Sequence, residues 1–172
     1  EPDNILSANI EQAEVTKTTL SESNNVLWSE NDQIVAFMKS SYGQKYQIQP
    51  SFAGQTSAEF LRTSSEDFPT GAEWDHNVAY YPYSESIECV KYANCYILNV
   101  VLPSVQTYVK NSFENGAFPM VAISEDNNIT FKNVLGGIKI PLKGTQNVKS
   151  IKIEGNNNEK LSGAATVTAY MD

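Results

Sequence analysis

The sequence predicts an all-β fold, a β-sandwich of about seven or more strands, and three observations carry the prediction. Strand-length runs rich in β-branched and aromatic residues recur along the chain, and clusters of Asn, Asp, Ser, Gly and Pro separate them at short intervals. Only one stretch carries helical spacing. Strands that follow one another without intervening helices belong to sandwiches rather than to βαβ units.

Residues 1–14 are polar and weakly patterned, and read as an N-terminal lead-in that is either flexible or dependent on another element for its structure. From Val15 the character changes. Residues 15–20 are dense in β-branched side chains, 21–25 supply turn chemistry, and Val26-Leu27-Trp28 follows, so the pattern reads strand, turn, strand. Ile34-Val35-Ala36-Phe37-Met38 is a continuous apolar run between Asn31-Asp32 and Ser40-Ser41-Tyr42-Gly43, and its length predicts a buried strand over 33–39. Residues 45–49 alternate, with Tyr46 and Ile48 on one face, and Pro50 stops them. A further strand is expected over 57–62, with Phe60 and Leu61 as its buried residues.

Residues 63–77 collect Ser, Glu, Asp, Pro and Gly and predict a long loop. An aromatic strand over 78–83 contains Pro82, which places it at a sheet edge or at a strand end. Two strands, 87–92 and 96–102, flank the Ala93-Asn94 turn. Residues 104–115 are the place for a short helix or turn, because Val105, Tyr108 and Val109 fall three and four apart and Gly116 would end it. Strands are then expected over 118–124, 129–131, 138–142, 148–154 and 161–170. With no linker and no low-complexity tract, residues 15–172 read as one β-sandwich domain.

Twelve Lys and Arg stand against twenty Asp and Glu, a net charge of -8. That balance repels the phosphate backbone and anionic membrane surfaces, so neither nucleic acid nor a bare membrane is an expected partner. No apolar run approaches the ~20 residues of a membrane-crossing helix. The opening Glu1-Pro2-Asp3 shows no signal peptide, which fits a mature or trimmed form.

Catalytic chemistry finds little to work with. His76 is the single histidine, it lies in the polar Trp74-Asp75-His76-Asn77, and no G-x-S-x-G elbow occurs. Cys89 and Cys95 are a candidate disulfide across a hairpin, the alternative being two unpaired thiols that pack as small apolar residues. One His and two Cys do not make a zinc cluster. Glu125-Asp126-Asn127-Asn128 groups hard oxygen donors without the spacing of an EF-hand, and a solvated hairpin turn is the simpler reading. Gly136-Gly137 lies among strands rather than before a helix, so a bulge or bend replaces a phosphate loop. Glu85 with Glu88, and Glu66 with Asp67, carry no glycosidase signature. The expectation is a non-enzymatic protein without cofactor or metal. One binding alternative stands: Trp74, Tyr80, Tyr81, Tyr83, Tyr92 and Tyr96 could form a carbohydrate platform if several were exposed together.

Short motifs follow one another in a set order: Lys17-Thr18-Thr19-Leu20, Val26-Leu27-Trp28 and Asp32-Gln33-Ile34-Val35-Ala36-Phe37 at the start, then Tyr80-Tyr81-Pro82-Tyr83, Leu102-Pro103-Ser104-Val105-Gln106 and Pro119-Met120-Val121-Ala122 in the middle. The last third adds Phe131-Lys132-Asn133-Val134-Leu135-Gly136-Gly137, Ile140-Pro141-Leu142-Lys143-Gly144, Val148-Lys149-Ser150-Ile151 and Leu161-Ser162-Gly163. In this order the motifs resemble the fimbrillin family, the subunits of type V pili of Gram-negative bacteria.

The resemblance implies a transthyretin-like β-sandwich, export through the periplasm as a lipoprotein, and a structural or adhesive role in fimbriae at the outer membrane and cell surface. It also implies that a trypsin-like protease removes an N-terminal strand and that a strand from a neighbouring subunit replaces it, with other pilus subunits, and host protein or glycan, as partners. Lys17 is the only Lys or Arg before Lys39, so the Lys17-Thr18 bond is the candidate processing site; Arg62 lies too far inside the domain. Family members usually continue into a second domain and carry a lipidated cysteine. Neither is present up to Tyr170-Met171-Asp172, so the chain is expected to be the N-terminal domain of a longer two-domain subunit, membrane-bound only through an anchor outside it.

Overall fold

The computed structural model describes residues 4–12, 26–65, 73–110, 112–138 and 140–171. Among them the chain forms ten strands: β1 (Ile5–Ile10), β2 (Gln33–Met38), β3 (Gly43–Ile48), β4 (Ser57–Arg62), β5 (Asn77–Tyr81), β6 (Glu88–Tyr92), β7 (Cys95–Leu102), β8 (Met120–Ser124), β9 (Asn128–Asn133) and β10 (Gly163–Tyr170). The protein is all-β. Its only helical element among the bounded ones is a single 3-10 turn at Pro50–Phe52.

The pairing differs from the two-sheet sandwich that the pattern predicted. Seven strands close into a barrel in the order β1-β4-β3-β2-β5-β8-β9, and β10-β7-β6 form a separate three-stranded sheet. Strand twist curls the six antiparallel strands from β4 round to β9, and β1 bridges the remaining gap. A ring of seven cannot alternate direction throughout. One neighbouring pair must run parallel, and that pair is β1 with β9, whereas β1 runs antiparallel to β4.

Two apolar clusters explain the strand sequences. The barrel interior holds Leu6, Ala8, Ile10, Trp28, Ile34, Ala36, Tyr46, Ile48, Ala58, Phe60, Ala79, Tyr81, Met120, Ala122, Ile129 and Phe131. The second cluster lies between the barrel wall and the small sheet, where Val35, Phe37, Val78 and Tyr80 meet Cys89, Tyr96, Leu98, Val100 and Ala169. Because successive side chains point to opposite faces, β2 sends Ile34 and Ala36 inward and Val35 and Phe37 outward, and both sides are covered. Its unbroken apolar run follows from that double burial. β5 is buried along all five residues for the same reason.

At the hairpin before β3, Gly43 stands opposite Phe37. A Cβ there would meet Val35 Cγ2 at 2.8 Å, so close approach requires glycine.

Other expectations are met unevenly. Pro82 follows β5 directly, and β5 is a central strand that ends at the proline rather than an edge. Val26, Leu27 and Trp28 are not in a ladder, yet the Trp28 ring is fully buried. The strand expected over 15–20 lies outside the described residues. Residues 1–14, read as a lead-in, contribute β1. In 104–115 no helix forms among the described residues; the segment turns, with a Val109 to Ser112 bridge, and Val105 and Tyr108 are exposed. A short helix needs a face to bury, and Val105, Tyr108 and Val109, which would form that face, stay exposed. The described residues of 138–142 and 148–154 make no ladder.

Candidate functional site: the first strand and the groove it fills

β1 is short and its sequence, Ile5-Leu6-Ser7-Ala8-Asn9-Ile10, is modest, but its period-two pattern is complete. Leu6, Ala8 and Ile10 are buried while Ile5 and Ser7 are exposed. The register places Leu6 opposite Phe60 and Ala8 opposite Ala58 on β4. On β9, Ala8 faces Ile129 and Ile10 faces Phe131. The groove between β4 and β9 is therefore wide at the Leu6 and Ile10 positions and shallow at Ala8.

Behind this groove sits Trp28, with ring centroids 4.9 Å from Phe60, 5.4 Å from Phe131 and 5.7 Å from Tyr81, each edge-on. Its indole N–H is buried without a partner among the described residues. Burying Leu6 and Ile10 against these rings contributes roughly 1.5–3 kcal/mol each.

Main-chain bonds complete the seating. Ser7 N donates to Asn127 O at 2.9 Å, Ile10 N to Thr56 O at 2.9 Å and Glu11 N to Phe131 O at 2.8 Å. Outside the barrel, Asn9 Nδ2 donates to Asn128 Oδ1 at 3.2 Å. β1 is thus held by apolar side chains on its inner face and by backbone bonds on both edges.

The candidate processing pair Lys17 and Thr18 lies outside the described residues, as do Glu66 and Asp67. In sequence, Lys17 falls between β1 and Trp28. Cys89 and Cys95 are not brought together. Both are free and buried, and the hairpin register pairs Cys89 with Leu98 and Cys95 with Tyr92. Alternation then puts Cys89 on the inner face beside Leu98 and Cys95 on the outer face. Burial pushes the Cys89 thiol up to about 12.

The aromatic residues weighed as a carbohydrate platform are mostly core. Trp74, Tyr80, Tyr81 and Tyr96 are buried, and Tyr92 is exposed. Trp74 packs on Tyr96 at 5.0 Å and on Phe37 at 6.3 Å. Among Trp74, Tyr81 and Tyr83, no exposed coplanar pair forms.

His76 stands between carboxylates, Nδ1 3.3 Å from Asp75 and Nε2 3.8 Å from Glu125. Asp75 also accepts from Lys91 Nζ at 2.7 Å and Tyr96 Oη at 2.9 Å. Those hydrogen bonds, Lys91 first, hold the Asp75 carboxyl far below the usual carboxylate range. The Glu125-Asp126-Asn127-Asn128 turn uses its oxygens locally: Asp126 Oδ1 accepts the Asn128 N–H at 2.8 Å, and Asn77 Nδ2 donates to Asp126 O at 2.9 Å. Among the described residues, no three His, Cys, Asp or Glu side chains are placed to share a metal ion.

No protein-family model, curated protein or solved structure matches the chain.

Proposed function

We propose that this chain is a structural or adhesive subunit of a bacterial surface fibre of the fimbrillin type, which yields the place of β1 to a strand from another subunit after proteolysis. One observation carries the reading. β1 is the last piece of a closed ring, joined on one side by its only parallel pairing, and parallel pairs are slightly weaker per residue than antiparallel ones.

Cleavage at Lys17-Thr18 would separate β1 from the rest of the chain without cutting the six antiparallel strands. The strand would then be held by non-covalent contacts alone. Its departure would bare the backbone edges of β4 and β9 and the apolar groove between them, a combination that recruits a new strand. Opened in this way, the six-stranded sheet would face β10-β7-β6 through β2, β5 and β8, which supply its side of the second apolar cluster, and such a two-layer arrangement is what the resemblance implies. Such a subunit would work at the cell surface, anchored at the outer membrane, with other pilus subunits as partners.

Limited trypsin digestion of the folded protein, followed by N-terminal sequencing and incubation with a labelled peptide of residues 4–12, tests this. Cleavage after Lys17 and uptake of the labelled peptide into a folded residue 18–172 fragment are expected. An intact Lys17-Thr18 bond, or a cleaved protein that never exchanges its strand, would overturn it.

A further inference from the structure

Between β9 and β10 the chain runs through residues with strand chemistry that join no ladder among the described residues. Ile138, Ile140 and Leu142 alternate at period two, as do Ile151 and Ile153, and Val148 lies nearby. All six are exposed, from 43% at Ile140 to 76% at Ile138. Isolated exposed apolar residues are ordinary, but six of them in a stretch that joins no ladder among the described residues mark an interaction surface.

Charge indicates what covers it. Residues 132–160 hold six of the chain's twelve basic residues, Lys132, Lys139, Lys143, Lys149, Lys152 and Lys160, and only two of its twenty acidic ones, Glu154 and Glu159. The segment is basic on a molecule that is otherwise strongly acidic, so its best complement is the acidic surface of this same protein.

The small sheet offers a receiving edge. Among the described residues β6 pairs only with β7 and is one edge of that sheet, β10 being the other. Val90 and Tyr92 stand exposed on β6. Lys91 is already paired with Asp75, whereas Glu85 and Glu88, also exposed, make no ion pair among the described residues. The β6 edge thus presents apolar side chains beside uncompensated negative charge.

We propose that residues 138–153 are a docking strand for a second copy of this chain, seated along its β6 edge. The two surfaces differ, so the contact is heterologous and propagates head to tail instead of closing a dimer. It needs no proteolysis and leaves β1 in place, which makes it independent of the strand exchange proposed above.

The test is sedimentation velocity of the full, uncleaved chain across a concentration series at low and at high salt, with two charge-reversal variants. Lys149→Glu with Lys152→Glu alters the docking strand, and Glu85→Lys with Glu88→Lys alters the receiving edge. Expected are concentration-dependent association that salt weakens, a loss of about tenfold or more in either variant alone, and restored association when the two variants are mixed. Far-UV circular dichroism checks that both remain folded. A chain that stays monomeric throughout, association indifferent to both variants, or a mixture that fails to recover would each overturn the proposal.

Discussion

The Tyr81 hydroxyl, at the end of β5, donates to Oδ1 of Asp32 at 3.0 Å inside the barrel's end. Gly116 N donates back to the Tyr81 oxygen at 3.0 Å, and the Asn115 side chain completes the group. The other carboxylate oxygen of Asp32 accepts the Ser29 N–H at 2.7 Å. One buried acid therefore joins the 29–32 turn, a central strand and the loop before β8, in a medium where satisfied polar groups rigidify and unsatisfied ones are costly.

Burial raises the Asp32 carboxyl above its ordinary value of 3.8, against the lowering effect of its hydrogen bonds. A raised folded value means that this group's contribution to stability is complete below the ordinary value and is lost as pH rises through the raised one. Asp32→Asn keeps the shape and removes the titration. The stability difference between wild type and variant is expected to shift in favour of the variant as pH climbs from about 4 towards 7. Urea midpoints measured across that range check it; parallel curves would contradict the assignment.

Ala8 is the narrow point of β1, between Ala58 and Ile129. Ala8→Leu should overpack the groove and destabilise the protein by about 1–3 kcal/mol, while Ser7→Thr on the exposed face should stay within about 0.5 kcal/mol. Chemical denaturation of the two variants distinguishes them. Equal effects would mean that β1 does not hold this register.

Cys89 and Cys95, on opposite faces of one hairpin, are expected to remain thiols under air. Thiol titration should find both groups after unfolding without reductant, and slow reaction in the native state, because the Cys89 thiolate is suppressed and both side chains are buried. Added reductant should leave the melting temperature unchanged. A reductant-sensitive transition would show that the hairpin register is different.

Much of the all-β character is legible in residue order. The strand expected over 57–62 is β4, that over 33–39 contains β2, and those over 87–92 and 96–102 contain or overlap β6 and β7. These stretches state their structure locally, through apolar runs or alternation bounded by turn residues. β1 carried the same kind of signal in Leu6, Ala8 and Ile10, but three alternating residues, one of them alanine, barely rise above a polar background. Residues 138–142 and 148–154 show the converse, since their alternation is clear and no ladder forms among those described.

By itself, the amino-acid sequence determined that the protein is all-β, where most turns fall and that the strand within 33–39 is buried, because side-chain alternation and turn chemistry are local properties. Tertiary structure alone decided that β1 closes a seven-stranded ring with one parallel seam, that Cys89 and Cys95 point apart, and that Trp74 and Tyr81 are core. Each of these depends on which strand finds which neighbour and in what register, and a one-residue slip in register turns every side chain to the other face.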